Sequence, residues 1–128
     1  MIERFTKELE AVGGYVHRGR AALAELAGDG VSVTPCLALI ADTGTAVVSA
    51  RLSNGRRPGL VDPVHVIEAH TDQLVPDIAS ALELIGPELA RSSSVTLVTG
   101  PSRTADIEQN LVRGVHGPGE VHVVFVDA

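Results

Sequence analysis

The order of apolar segments in the second half of the chain is the strongest constraint on its fold. From residue 64 onward, strand-like segments alternate with helix-like segments, and the connections between them are short. The strand-like segments are 64–70, 94–100 and 120–128, and the helix-like segments are 74–90 and 104–114. Strands that alternate with helices form right-handed βαβ units, so this order predicts a parallel sheet.

The first half of the chain contains similar segments in a less regular order. A helix is predicted at the start, before Gly13 and Gly14, because apolar residues recur there at helical spacing: Ile2, Phe5, Leu9 and Val12. We expect a short strand over 15–18, a short helix over 20–27, and a strand over 46–50 after a polar turn at 42–44. In helix 74–90, Gly86-Pro87 should end or kink the helix, and the predicted buried face is Leu74, Ile78, Leu82 and Ile85.

Composition supports one α/β domain over residues 1–128. The chain has no Trp, one Tyr and two Phe, so its core must be built from aliphatic side chains. Such a core favours a buried sheet covered by helices, and the predicted fold class is α/β with a mainly parallel sheet flanked by helices.

Charge and cysteine content exclude several classes of function. A formal charge of −6 does not suit a nucleic acid partner, which needs clustered Lys and Arg. Cys36 is the one cysteine, and one thiol cannot form an internal disulfide or hold an iron–sulfur cluster by itself. No apolar run approaches the ~20 residues of a membrane span, and no secretory signal is visible, so we expect a cytoplasmic protein.

The segment TGPSRTADIE, residues 99–108, is the first candidate ligand site. In parallel α/β sheets, ligands bind beyond the carboxyl ends of strands, where loops lead into helix N-termini. Gly100 turns the chain, Ser102 or Thr104 can cap the expected helix, and Arg103 can hold a carboxylate or phosphate. The alternative is an ordinary capped helix, whose acidic first turn would repel an anion.

Two further loops carry polar groups that suit a ligand. In GVHGP, residues 114–118, glycines flank His116, which can serve as a general base or a hydrogen-bond donor. In ADTGT, residues 41–45, Thr43, Gly44 and Thr45 can present hydroxyl and backbone N–H groups to an anion. The alternatives are an ordinary loop histidine and a simple turn between two apolar segments.

Other chemistry is not predicted. His65, Glu68 and His70 lack helical HExxH spacing, and on a strand His65 faces away from the other two, so we predict no metal site. Neither a Walker A loop nor GxGxxG is present, which leaves the cofactor unknown. A triad of Ser102, His116 and Asp106 lacks the GxSxG elbow, and Cys36 is expected to be a small buried side chain.

Taken together, ADTGT, TGPSRTADIE and GVHGP, followed by an apolar strand, resemble the LUD-domain family, the lactate-utilisation protein C group. The resemblance covers residues 31–128 and extends less specifically to the first helix. It implies the fold of the sugar-phosphate isomerase and CoA-transferase superfamily. The segment between residues 19 and 30 is shorter than the family's, which has additional strand and helix units there.

The resemblance also implies a function. Members of this group serve the oxidation of L-lactate to pyruvate together with iron–sulfur proteins. The leading hypothesis is therefore a component of an L-lactate utilisation system that binds a small anionic metabolite or cofactor. The predicted site comprises Thr43, Gly44, Thr45, Gly100, Ser102, Arg103 and Thr104, with His116 as the acid–base group. The alternatives are a non-enzymatic assembly subunit that docks iron–sulfur partners, and a stand-alone enzyme of isomerase, CoA-transferase or cyclo-ligase type.

Overall fold

The structure is a computed structural model, and it describes residues 1–52, 63–92, 94–101, 104–107 and 119–128. Its helices are α1 (Ile2–Ala11), α2 (Arg20–Leu26) and α3 (Ile78–Leu89), with a 3-10 turn at Thr71–Gln73. Its strands are β1 (Tyr15–Arg18), β2 (Val31–Pro35), β3 (Ala38–Ile40), β4 (Thr45–Ser49), β5 (Val64–Ala69), β6 (Leu74–Val75), β7 (Val95–Val98), β8 (Thr104–Ile107) and β9 (Glu120–Phe125).

The described strands form two sheets, and the first of them is wholly parallel. Its order is β1-β9-β5-β2, so the last strand lies between the first strand and β5. The helix α2 connects β1 to β2 and contacts β5 and β9. This parallel sheet with helices around it confirms the predicted α/β fold class.

The second sheet was not predicted from the sequence. Its order is β6-β3-β4-β7-β8, and every pair in it is antiparallel except β3 with β6. It begins with a hairpin, because the chain reverses between β3 and β4 at the predicted polar turn. Gly44 has a φ of 67° there, and its N–H donates to the carbonyl oxygen of Ile40 at 2.9 Å.

The main core lies between the two sheets and is closed by α1. Phe5 and Leu9 are 0% and 1% exposed, and they pack with apolar side chains from both sheets. The rings of Phe5 and Phe125 meet edge to face, with centroids 5.7 Å apart. The predicted first helix and its spacing are therefore confirmed, and α1 joins the sheets through the same residues.

Of the four residues predicted as the buried face of helix 74–90, Leu74 and Ile85 are buried and the other two are exposed. Leu74 lies before the helix in β6, and Ile78 and Leu82 are 45% and 51% exposed. The buried residues are Ala81, Ile85 and Glu88. Pro87 lies inside the helix, which continues to Leu89. The prediction was wrong for Ile78 and Leu82 because the starting point was wrong: Leu74 pairs with Leu39 in a strand, and the helix begins after its N-cap Asp77.

Residues 104–107 correct a second prediction. The sequence predicts a helix from 104 to 114, but 104–107 form β8, which pairs antiparallel with β7. Gly100 has a φ of 78°, and Val98 lies opposite Thr104, so the chain turns back on itself instead of entering a helix. Strand pairing therefore overrides the helical spacing of the first residues of this segment. Residues 108–118 lie outside the described part of the chain.

Candidate functional site

The structure brings two of the predicted loops together where the neighbouring strands β4 and β7 of the second sheet begin and end. The loop 41–44 precedes β4, and Thr99 follows β7, which pairs with β4. A chain of hydroxyl groups links them: Thr43 Oγ1 lies 2.8 Å from Thr45 Oγ1, which lies 2.6 Å from Thr99 Oγ1. Antiparallel pairing explains the meeting, because the start of one strand lies beside the end of its neighbour.

The two predicted glycines of this site pack against α1. A Cβ atom on Gly44 would lie 2.4 Å from the backbone nitrogen of Leu9, and one on Gly100 would lie 2.9 Å from the carbonyl oxygen of Val12. Both residues also have positive φ angles, 67° and 78°. Close packing of α1 therefore accounts for both glycines, and their contact with a ligand stays a prediction.

The other predicted site residues divide into two groups. Thr104 is the first residue of β8, so it does not cap a helix, and the helix N-terminus expected to attract an anion at this position is absent. Ser102, Arg103 and His116 lie outside the described residues, and their roles stay predictions.

A second polar cluster, which sequence reasoning missed, lies on the parallel sheet. We call Tyr15, His17, Glu120 and His122 the imidazole cluster. Nε2 of His17 lies 2.9 Å from Nδ1 of His122, and Nε2 of His122 lies 3.3 Å from Oε2 of Glu120. The Tyr15 ring stacks on the His122 ring with centroids 4.6 Å apart and an interplanar angle of 13°.

The cluster forms because β1 and β9 pair in parallel with Tyr15 opposite His122. Alternate residues of a strand share a face, so Tyr15 and His17 lie on one face of β1, as Glu120 and His122 do on β9. That alternation is visible in YVHR and EVHV. The missing information was that these two segments, 105 positions apart, are neighbours.

Burial and the neighbouring imidazole of His122 lower the pKa of His17, and the nearby Glu25 carboxylate opposes this shift. A lowered pKa keeps the His17 ring neutral at pH 7, because its ordinary value of 6.5 is already below that pH. A neutral imidazole has one nitrogen that can accept a proton. The cluster therefore combines a proton acceptor, a carboxylate and an aromatic surface.

His65 and Cys36 have structural surroundings. His65 is fully buried, and its Nε2 lies 2.7 Å from the hydroxyl of Thr34. Cys36 is 3% exposed, its thiol donates to Gln73 Oε1 at 3.2 Å, and burial raises its pKa to about 12. The predicted burial of Cys36 is confirmed. In the described ranges, no three His, Cys, Asp or Glu side chains are grouped to hold a metal ion.

A buried carboxylate fastens α3 to β4. The side chain of Glu88 is 0% exposed, and its oxygens accept from Nε and Nη2 of Arg51 at 2.9 and 3.0 Å. The hydroxyl of Ser49 donates to the same carboxylate at 2.5 Å. These bonds satisfy the buried charge, so the cluster needs no ligand to explain it.

Across residues 1–52, 63–92, 94–101, 104–107 and 119–128, no helix has the length and apolar character needed to cross a lipid bilayer.

The fold defines a class of α/β domain in which a parallel sheet and a mainly antiparallel sheet enclose one core. Residues 29–126 match the family model of the LUD domain. The chain therefore belongs to the LUD domain family, as its three loop motifs indicate.

Relatives with similar sequences carry the name Lactate utilization protein C. The protein of that name from Oceanobacillus iheyensis is 36% identical over 109 residues, which is 82% of this chain and 46% of the relative. The one from Deinococcus radiodurans is 33% identical over 95 residues, 73% of this chain and 45% of the relative. The one from Bacillus subtilis is 31% identical over 100 residues, 75% of this chain and 42% of the relative. The matched part is thus less than half the length of these relatives.

A solved structure has the same fold. The crystal structure of a DUF162 family protein from Deinococcus radiodurans superimposes with a TM-score of 0.75, covering 97% of this chain and 94% of that one. The sequences are 16% identical, so this likeness supports the fold and no finer conclusion.

Proposed function

We propose that this domain acts in the utilisation of L-lactate and binds a small anionic metabolite at the surface formed by loops 41–45 and 99–104. Membership of the LUD family and relatives named Lactate utilization protein C support the first part. The observation that carries the second part is the hydroxyl chain Thr43–Thr45–Thr99, which joins the two loops that the family motifs contribute.

The chemistry of this surface suits an anion through side chains. Each threonine hydroxyl has one hydrogen to donate, and two of the three hydrogens are used within the chain, so one remains for a carboxylate or phosphate. Because β8 replaces the expected helix at 104, no helix dipole contributes at that position. The positive charge in the proposal therefore comes from Arg103, and His116 is the acid–base group.

The proposal is tested by ligand-dependent thermal stability of the full chain with lactate, pyruvate and inorganic phosphate. A ligand at 100 times its dissociation constant stabilises a protein by about 2.7 kcal/mol, which raises Tm by several degrees. Arg103→Ala and Thr45→Val should abolish the shift. Arg4→Ala, at an exposed arginine of α1, is the matched control and should keep it.

Genetic complementation gives the second readout. We expect Arg103→Ala to fail, and Arg4→Ala to succeed, in restoring growth on L-lactate to a strain that lacks the gene. If the Arg103→Ala variant kept both the ligand-dependent rise in Tm and growth on L-lactate, the proposed site would be wrong.

One observation favours the second candidate, an assembly subunit that docks iron–sulfur proteins. The helix α3 leaves Ile78 and Leu82 exposed, one turn apart. Under this alternative, the chain binds none of the three metabolites, and Leu82→Glu abolishes co-purification with iron–sulfur proteins while Glu83→Gln does not.

A further inference from the structure

The imidazole cluster lies apart from the surface of the proposed function. Val16 packs in the core closed by α1, so Tyr15 and His17, its neighbours along β1, lie on the opposite face of the parallel sheet. The helix α2 contacts β9 and β5, and its Glu25 acts electrostatically on His17. The cluster therefore occupies a second surface, and what it binds is independent of the metabolite proposed above.

Two imidazole rings in this cluster meet edge to edge. Their centroids are 5.1 Å apart and their planes differ by 20°. With facing nitrogens only 2.9 Å apart, the two rings lie nearly in one plane and share a hydrogen bond. Tyr15, in contrast, covers the flat side of the His122 ring and leaves 47% of its own surface exposed.

The carboxylate sets the direction of the hydrogen bonds. An ionised Glu120 can only accept, so Nε2 of His122 carries the hydrogen that points at it. In the neutral ring, Nδ1 of His122 is then an acceptor, and Nε2–H of His17 donates to it. The lone pair left over is on Nδ1 of His17, and no residue in the described ranges bonds to it.

A metal ion does not fit these atoms. A Zn²⁺ ion needs each ligating nitrogen about 2.0–2.1 Å away with its lone pair aimed at the metal. Here the facing nitrogens are 2.9 Å apart and aim at each other, so the ion would have to break the hydrogen bond and turn both rings.

Charge narrows the choice of ligand further. Glu120 lies beside His122, Glu25 acts electrostatically on His17, and Glu68 shares this face of the sheet two strands away, opposite Val124. These carboxylates disfavour an anion, whereas a group that donates a hydrogen suits the lone pair of Nδ1.

We propose that the imidazole cluster is a binding site for an uncharged ligand that donates a hydroxyl to Nδ1 of His17. Glu120 and His122 are positioning residues, because they fix the tautomer of His17 without touching the ligand. The pair phenol and anisole provides a test, because both have the same flat ring and only phenol has a hydroxyl to donate.

The first measurement is the tautomer of each histidine in the ¹⁵N-labelled full chain, read from long-range ¹H–¹⁵N correlations at pH 7.5. We expect the hydrogen on Nε2 in both His17 and His122. Titration with phenol should shift the Nδ1 resonance of His17 and bind at least fivefold more tightly than anisole. A hydrogen on Nδ1 of His17, or equal binding of the two probes, would overturn the proposal.

Two variants separate positioning from general electrostatics. Glu120→Gln keeps the shape of the side chain but removes the charge that fixes the acceptor, so both tautomers of His122 should appear and phenol binding should weaken. Glu25→Gln removes a carboxylate that is near His17 but outside the hydrogen-bond chain, and should leave the tautomers unchanged. Equal responses to the two substitutions would contradict the assigned role of Glu120.

Discussion

Gly44 combines a left-handed backbone with a contact that excludes any side chain. Its φ is 67°, and a Cβ atom would lie 2.4 Å from the nitrogen of Leu9 and 2.9 Å from its Cα. Both neighbours are backbone atoms of α1, which cannot move without disturbing the core around Leu9. The glycine thus sets how closely α1 approaches the second sheet.

Replacing Gly44 tests this packing. Gly44→Ala should lower the free energy of unfolding by at least about 2 kcal/mol, because the left-handed conformation alone costs roughly 1–2 kcal/mol and the contact adds to it. Gly28→Ala is the matched control: its φ is not positive and nothing beyond its chain neighbours lies within 4 Å of a Cβ there, so the free energy of unfolding should not fall and should rise by up to about 1 kcal/mol. Urea denaturation measures the free energy of unfolding of both variants. Equal values would contradict the close packing of Gly44 against α1.

At the scale of elements, α3 was predicted as a helix, but within it Ile85 alone of the predicted buried face is buried. In α3, the residues Ala81, Ile85 and Glu88 are buried against the second sheet. Ile78 and Leu82 remain exposed. The sequence did not predict burial of Glu88, because an acidic residue is rarely buried unless its charge is paired. The groups that bond to it, Ser49 and Arg51, lie at the end of β4 and just after it, far from Glu88 in the sequence.

Two truncations of α3 should therefore differ in their cost. Ile85→Ala removes a 2% exposed side chain and should cost about 2–5 kcal/mol of unfolding free energy. Leu82→Ala, at a 51% exposed position one turn earlier, should change stability by no more than about 0.5 kcal/mol. Urea midpoints measure both costs, and a reversed order would show that Leu82 and not Ile85 packs in the core.

The ion pair of α3 makes stability depend on pH. The bonded Arg51 lowers the pKa of Glu88 below its ordinary 4.5. A lowered pKa contributes stability above the unfolded value, and that contribution is lost as the pH falls through the folded value. Glu88→Gln should cost about 1–3 kcal/mol at pH 7, and the difference from the natural chain should shrink below pH 4.5.

The control for this prediction is Glu83→Gln, at an exposed position of the same helix. It should leave stability within about 0.5 kcal/mol at both pH values. A deficit of Glu88→Gln that stays constant down to pH 3 would show that the carboxylate charge is not what stabilises the pair.

The local sequence pattern was sufficient to predict most helices and strands, but it was insufficient to predict which strands pair with each other. The apolar spacing of Phe5 and Leu9 predicted α1, and the segments 15–18 and 120–128 were expected to be strands, as β1 and β9 are, because each of these predictions depends on the segment's own residues. The strand β8 and the imidazole cluster were missed because both depend on which strands pair. Loop composition did select Thr43 and Thr45, and the hydroxyl of Thr45 lies within hydrogen-bond distance of Thr99 in the neighbouring loop.

For the whole molecule, the segment before the family match is part of the structure. The match covers residues 29–126, yet α1 closes the core and β1 pairs with β9 along four residues. The matched segment by itself would expose the core around Phe125 and leave one edge of β9 unpaired.

Removal of residues 1–28 should therefore abolish cooperative folding. We expect a fragment of residues 29–128 to show no sharp urea transition and to lack dispersed NMR signals. Phe5→Ala in the full chain is the milder comparison and should cost about 3–5 kcal/mol while keeping a cooperative transition. A fragment with the midpoint of the full chain would show that the first 28 residues are dispensable.

The position of β9 also affects how the protein is made. This strand comes last in the sequence, yet it lies inside the parallel sheet between β1 and β5. His17 and its partner His122 are 105 positions apart, which at 5–20 residues per second corresponds to roughly 5–20 s of synthesis. During that time the sheet cannot close, and the apolar face of α1 has no complete core to enter. The nascent chain on the ribosome thus carries an uncovered amphipathic helix, the kind of surface that chaperones bind.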